Sequence, residues 1–290
     1  MFYTSNKLAD IKKVMVSRIV RLYPQREAEN MANMLIRHYF GLSRTMQQLQ
    51  IDKRLSESEM LIIDKAVKRL LTAEPIQYVV GSTEFYGLEL DASPEVLIPR
   101  PETEELVDII IKDNRNDNVD ILDIGTGSGC IALALKNTYA KSRVTAIDIS
   151  EKALALARKN AENLNLKVDF RQCNILDAEA CSTVLEKKFH IIVSNPPYVL
   201  QKEKAQMADN VLKYEPPLAL FVEDDDPLLF YRKIIRFAER SLRPNGKLYF
   251  EINENYAEAT ASLFDKDTFD IPETMTDVHG KVRFLVVRAN

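Results

Sequence analysis

The apolar positions change period along the chain, and the change divides it. Leu8, Ile11, Met15, Ile19 and Leu22 recur every three or four residues, the spacing of one helix face. Pro24 suits the first turn of a second helix through Ala28, Met31, Leu35 and Ile36, which Gly41 stops. Ser43 is placed to cap a short helix. Ser56 with Glu59 three positions later forms a capping box that opens a helix through Ile62, Ala66 and Leu70. The spacing predicts a small helical bundle over residues 1–74.

Residues 75–100 change character. Gly81 and Gly87 among Tyr78, Phe85 and Tyr86 predict a short hairpin or extended linker, and Pro94, Pro99 and Pro101 punctuate its exit. From Val119 onward short apolar runs alternate with helical segments. Strands are predicted at Val119–Ile124, Arg143–Asp148, Lys167–Arg171, Phe189–Ser194, Gly246–Ile252 and Val282–Val287, with a weaker one at Thr268–Glu273. Helices are predicted at Cys130–Asn137, Glu151–Leu164, Pro227–Leu242 and Tyr256–Phe264. Alternation of this kind gives an α/β domain over residues 101–290, built on a doubly wound, mainly parallel sheet. Ligands on such sheets sit beyond the carboxyl ends of the strands.

Composition narrows the class. A hydrophobic fraction of 46% and a charged fraction of 28% are those of a globular protein. No apolar stretch reaches membrane-spanning length, and Met1 to Asp10 lacks a signal-peptide apolar region, so the expectation is a cytoplasmic protein without a membrane partner. Three histidines are scattered, and Cys130, Cys173 and Cys181 share no metal-ligand spacing, so no metal site is expected. Cys130 and Cys173, beside apolar positions, read as buried inert thiols. The net charge of −4 argues against a general nucleic-acid binder. The charge is uneven. Residues 1–80 carry 13 Lys and Arg against 8 Asp and Glu, leaving the acidic excess to the remainder. Such a division fits a basic part that docks a macromolecule and an acidic part that does chemistry, although solvated helix surface explains the same numbers.

Two local patterns carry candidate chemistry. The first strand runs into Gly125-Thr126-Gly127-Ser128-Gly129 and then at once into Cys130-Ile131-Ala132-Leu133. Alternate glycines let the backbone turn tightly and approach a ligand. A dinucleotide fingerprint needs its third glycine one residue later, so the pattern suits a nucleoside with no pyrophosphate to cradle. Asp148 ends the next strand, where a carboxylate accepts from both ribose hydroxyls. Asp123, ahead of the loop, is placed to meet a cofactor amino group. The second pattern is Asn195-Pro196-Pro197-Tyr198, at the carboxyl end of the fourth strand. An amide or exocyclic amine is a poor nucleophile because its lone pair is delocalised. The Asn195 side-chain oxygen and the Pro196 carbonyl can each accept one of its N–H bonds, aiming the lone pair and stabilising the charge that develops. Proline fixes its carbonyl rigidly, and Tyr198 offers a flat face for a planar group.

With both motifs in place, the sequence resembles the protein-(glutamine-N5) methyltransferases that modify peptide-chain release factors. Pro75-Ile76-Gln77-Tyr78, Glu84-Phe85-Tyr86-Gly87-Leu88, Leu97 to Glu104, Ile121-Leu122-Asp123-Ile124 with the glycine loop, Val193 to Tyr198, Tyr214-Glu215-Pro216 and Tyr231-Arg232 carry the likeness over almost the whole chain. The resemblance implies a seven-stranded class I S-adenosylmethionine-dependent methyltransferase sheet with an N-terminal helical domain that docks the release factor. It implies that Gly125, Thr126, Gly127, Ser128, Gly129, Asp148, Ile175 and Asn195 hold S-adenosylmethionine. Asn195, Pro196, Pro197 and Tyr198 would grip the glutamine of a Gly-Gly-Gln loop, with Arg100 shaping the site. Asn174 stands where relatives carry an aspartate, Asn253 where a glycine is usual, and Asp226-Pro227-Leu228 replaces Asp-Gly-Leu. The rival reading is methylation of an exocyclic amine of adenine or guanine in DNA or RNA. Asn-Pro-Pro-Tyr serves that chemistry too, but the acidic second part brings no basic recognition insertion.

Overall fold

A computed structural model describes residues 3, 5–177, 181, 185 and 187–290. The chain folds as two compact units, one of residues Met1–Gly81 with Ala208–Tyr214, the other of Ser82–Met207 with Glu215–Asn290.

The first unit is helical: α1 (Leu8–Ile19), α2 (Gln25–Phe40), α3 (Arg44–Leu49), α4 (Glu57–Leu70) and α5 (Ile76–Val80). Leu8, Ile11, Met15 and Ile19 are fully buried against Leu35 and Ile36 of α2 and Ile63, Val67 and Leu70 of α4. Leu22 and Ile62 do not join them. Helix α1 ends at Ile19, and Ile62 lies one step off the buried face of α4, so both are exposed. Ser43 Oγ accepts from the Met46 N–H, and Ser56 and Glu59 form the full capping box. Arg18 and Asp64, both nearly buried, make an ion pair of 2.6 Å inside the bundle. The helix α9 (Asp209–Tyr214) belongs to this unit, where the Tyr214 hydroxyl donates to the Thr72 carbonyl at 2.9 Å. Sequence spacing does not place that return segment here.

The second unit opens with a hairpin, β1 (Ser82–Phe85) and β2 (Leu88–Asp91), followed by α6 (Pro101–Asp113). This helix is absent from the sequence reading, in which the prolines mark only an exit. Pro101 instead occupies the first helical turn, where its missing N–H costs nothing, and Thr103, Leu106, Val107 and Ile110 form the buried face. The main sheet holds β3 (Asp120–Ile124), β4 (Arg143–Asp148), β5 (Asp169–Gln172), β6 (Phe189–Ser194), β9 (Leu242–Glu251), β10 (Glu273–Thr276) and β11 (Val282–Arg288). Their order is β10-β11-β9-β6-β3-β4-β5. The five strands from β9 to β5 run parallel, β11 runs antiparallel to β9, and β10, antiparallel to β11, points the same way as the five. Strands β7 (Val199–Leu200) and β8 (Phe221–Val222) form a separate short pair.

The predicted strand at Thr268–Glu273 is displaced. Phe269 is buried and makes one bridge to Ala289, Ile271 is exposed, and regular pairing begins only at Glu273. Strand β9 begins four residues before the predicted Gly246, because a bulge lets Leu242 pair with Phe189 before Ile191 meets Lys247. Helix α7 (Cys130–Thr138) packs in the cluster on one face of the sheet, and α10 (Leu229–Ser241) in the cluster on the other. Sequential strands diverge on either side of β3, so the crevice beyond its carboxyl end is the topological switch point. No helix among the described residues is long and apolar enough to cross a membrane.

Candidate active site

The glycine loop leaves β3, all five of whose residues are buried. Gly125, Gly127 and Gly129 have φ of 75°, 55° and 84°, a region that penalises side chains. At Gly129 a Cβ would also stand 3.2 Å from both Ala157 Cβ and Leu133 Cδ1, so the third glycine serves close packing against α8 (Glu151–Asn163). Backbone N–H groups of Gly125 and Thr126 donate to the Ile147 carbonyl, fastening the loop to the end of β4. From beneath, Asp123 Oδ2 accepts from the Thr126 hydroxyl at 2.6 Å and the Ala132 N–H at 3.2 Å. Asp123 is fully buried, and burial pushes its carboxyl up to about 7. It staples the loop and does not reach the cavity wall.

Above the loop lies a cavity of about 300 Å³. Ile124, Gly125, Gly127, Asp148, Ile149, Ile175 and Asn195 line it, together with Leu97, Pro216 and Phe230. Asp148 Oδ2 accepts from the Gly127 N–H and Oδ1 from the Ser150 N–H, each at 2.9 Å. Burial raises its carboxyl pKa, against those backbone donors. The carboxylate lines the cavity and keeps acceptor capacity beyond those backbone bonds, which suits a vicinal diol. Isoleucines around one carboxylate give a slot that fits a purine nucleoside. Thr126, Ser128 and Gly129 do not line this cavity. Thr126 and Ser128 are buried within the loop.

The cysteines depart from the expectation of inert free thiols. Cys173 and Cys181 form a disulfide with Cα atoms 5.8 Å apart, so Cys173, which lines the cavity, is not a free thiol. The odd count left one cysteine over without preventing a pair: the end of β5 and the segment after it bring two sulfurs within bonding range. Cys130 is the free one, and burial pushes its thiol up to about 12, consistent with an inert group.

Opposite the loop, β6 delivers Asn195-Pro196-Pro197-Tyr198. The Ser194 hydroxyl donates to the Ile124 carbonyl at 2.7 Å, tying the ends of β6 and β3 together. Asn195, Pro196 and Pro197 line the cavity, and Tyr198 does not. The Asn195 side-chain N–H₂ donates to Glu251 Oε2 at 2.9 Å, and the Tyr198 hydroxyl to Glu251 Oε1 at 3.0 Å. With its nitrogen committed, Asn195 has its carbonyl oxygen left to accept at the cavity. Burial raises the Tyr198 hydroxyl pKa, and the adjacent Glu251 carboxylate reinforces it, so the hydroxyl stays protonated as a donor. Asn253 donates to the Tyr198 carbonyl at 3.2 Å and caps the following turn through its side-chain oxygen, work that a glycine cannot do.

Arg100 is not at the cavity wall either. Its guanidinium meets Glu215 Oε1 at 2.6 Å, while Glu215 Oε2 accepts from the Ile98 N–H at 3.3 Å. The pair clamps the stretch carrying Leu97 to the one carrying Pro216 and Leu218, all three in the wall. Val96, Leu97, Leu218, Phe230 and Ile234 are wall residues that motif reading missed. The spacing of Phe230 and Ile234 on one helical turn was the available signal. Glu251 and Thr103, behind Asn195, gave no local signal beyond a charge at the end of an apolar strand and a hydroxyl within a helix.

Comparison with known proteins agrees with this geometry. Residues 102–220 match the family model of the methyltransferase small domain, and residues 20–81 match that of the PrmC N-terminal domain. The release factor glutamine methyltransferase of Flavobacterium psychrophilum is 43% identical, over 94% of this chain and 95% of the relative. That of Bacteroides thetaiotaomicron is also 43% identical, over 91% and 94%. A solved methyltransferase from Pyrococcus furiosus superposes with a TM-score of 0.52 at 22% identity, covering 70% of this chain and 89% of that one, and shares the fold. The chain belongs to the release factor glutamine methyltransferase family.

Proposed function

We propose that this chain transfers a methyl group from S-adenosylmethionine to the side-chain amide nitrogen of the glutamine in the Gly-Gly-Gln loop of a peptide-chain release factor, in the cytoplasm. The observation that carries the reading is Asn195, set in the wall of the cavity above the glycine loop with its nitrogen turned away to Glu251. When bound, S-adenosylmethionine supplies an electrophilic methyl on a sulfonium. Asp148 would accept from the ribose hydroxyls, Ile149 and Ile175 would flank the adenine, and the open face at Gly125 and Gly127 would admit the cofactor without a Cβ in the way. The Asn195 oxygen and the Pro196 carbonyl accept the two N–H bonds of the substrate amide, holding its lone pair toward the methyl position. As the new N–C bond forms and the methyl–sulfur bond breaks, its electron pair leaving with S-adenosylhomocysteine, the same two acceptors would stabilise the positive charge on nitrogen until a proton leaves to water. Tyr198 supports the motif from behind, and the Arg100–Glu215 clamp shapes the wall. Residues 1–74, with their basic excess, dock the release factor. Stable nucleic-acid binding has no part in the activity.

The test is methyl transfer from labelled S-adenosylmethionine to a purified release factor, beside its Gly-Gly-Ala variant, DNA and RNA. Label on the wild-type factor alone is expected. Label on nucleic acid and not on the factor would retain the chemistry and overturn the substrate.

A further inference from the structure

Three side-chain donors converge on Glu251, which is 1% exposed at the end of β9. The Thr103 hydroxyl from α6 reaches Oε2 at 2.7 Å, the Asn195 N–H₂ reaches Oε2 at 2.9 Å, and the Tyr198 hydroxyl reaches Oε1 at 3.0 Å. Arg283 on β11 adds its charge nearby. Glu251 does not line the cavity.

The two ends of an asparagine amide are almost the same size, so packing alone does not decide which of them faces a substrate. A carboxylate can only accept, which forces the Asn195 nitrogen toward Glu251 and leaves the oxygen for the incoming amide. A charged acceptor also polarises the Asn195 amide and strengthens its oxygen as an acceptor in turn. We propose that Glu251 is a positioning residue for methyl transfer, setting the direction of the Asn195 amide and holding Tyr198 in register with it. This rests on the reaction proposed above. Thr103 locks the carboxylate: its hydroxyl shares Oε2 with Asn195, so the carboxylate cannot turn away without losing both bonds. Burial pushes the Glu251 carboxyl pKa upward, and Thr103, Tyr198 and the charge of Arg283 oppose the rise.

Glu251→Gln tests this with little change of shape. Its amide can pair with Asn195 either way round and carries no charge, so kcat on the release factor should fall roughly tenfold, the difference between a charged and a neutral hydrogen bond. The KM for the factor and the dissociation constant for S-adenosylhomocysteine should each stay within about twofold. A readout independent of turnover is the Asn195 side-chain N–H₂ resonance in protein labelled with nitrogen-15 asparagine, assigned by its loss in Asn195→Ala. It should lie well downfield in the wild type and move upfield in Glu251→Gln. Unchanged kcat, an unmoved resonance or lost cofactor binding would each overturn the proposal. Should Glu251→Gln fail to fold, Thr103→Val frees one side of the carboxylate, and Thr103→Ser, which keeps the hydroxyl that also accepts from the Asn195 N–H₂ at 3.2 Å, is its control and should behave as wild type. Thr103→Val should lower kcat about threefold and shift the same resonance, and no change in either overturns the proposal. Wild-type protein that leaves the release factor unlabelled would instead refute the reaction itself, and the resonance would still report on Glu251.

Discussion

The two walls of the cavity are built in different ways. The cofactor side is mostly main chain: a glycine loop fastened to the Ile147 carbonyl, and Asp148 held by the N–H groups of Gly127 and Ser150. The amide side is mostly side chain: Asn195 and Tyr198 both donate to Glu251, with Thr103 behind them. Main-chain walls follow from local backbone geometry, whereas side-chain walls need residues from distant strands and helices to arrive together. The first wall should therefore govern affinity for the cofactor, and the second should govern rate.

The largest effect should come from Asn195→Ala. Removing one acceptor for charge that develops in the transition state costs about two orders of magnitude or more in kcat, while binding of S-adenosylhomocysteine, read by calorimetry, stays within about twofold. Equal losses in rate and affinity would mean that the two walls are not separate. Asp148→Ala should do the reverse. Two hydrogen bonds to a charged acceptor contribute about 2–3 kcal/mol between them after solvent competition, or thirtyfold or more in the cofactor dissociation constant. Its kcat at saturating cofactor should change little. A collapse of kcat there would place Asp148 in the chemistry.

Arg100→Ala probes the clamp that serves both walls. It leaves Glu215, 3% exposed, accepting from the Ile98 N–H without its charged partner. Loosening the Leu97 and Pro216 segments should weaken cofactor binding roughly fivefold, the equivalent of about 1 kcal/mol, with a smaller fall in kcat. A fall confined to kcat would assign the clamp to the amide wall.

The same contrast explains what the sequence discloses. The glycine loop, Asp148 and Asn195-Pro196-Pro197-Tyr198 are legible because each is a short local pattern at the end of an apolar strand. The sheet follows from the alternation of strand and helix, to within a residue or two at β4, β6 and α8. Glu251 lies 56 residues from Asn195 and Thr103 lies 92 from it, so no local period links them. Helix α6 was hidden by prolines that read as exit markers, although Pro101 is a favoured helix opener. Pairing of Cys173 with Cys181 needed the turn after β5, which periodicity does not describe. Thr126 and Ser128 lie in the right motif but face inward, because only alternate loop residues open to the cavity.

The smallest effect on turnover should come from beneath the cofactor wall, where Asp123 sits. Its carboxyl has moved from an ordinary value of 3.8 to about 7, chiefly through burial, and its Oδ1 has no hydrogen-bond partner among the described residues. The folded state thus keeps a proton that the unfolded chain releases near pH 4. Between about pH 4 and 7 the fold holds more protons, so this group's contribution to stability declines as pH rises through that window and is flat above it. The slope is at most about 1.4 kcal/mol for each pH unit. Asp123→Asn keeps an acceptor for Thr126 and Ala132 and removes the titration. Its melting temperature relative to wild type should therefore rise from pH 5 to pH 7.5, while activity near pH 6, where the buried carboxyl is already largely protonated, changes little. Parallel melting curves across that range would mean that Asp123 stays ionised under the loop. The glycine turn would then rest on a buried charge, and the cofactor wall would depend on a side chain as much as the amide wall does.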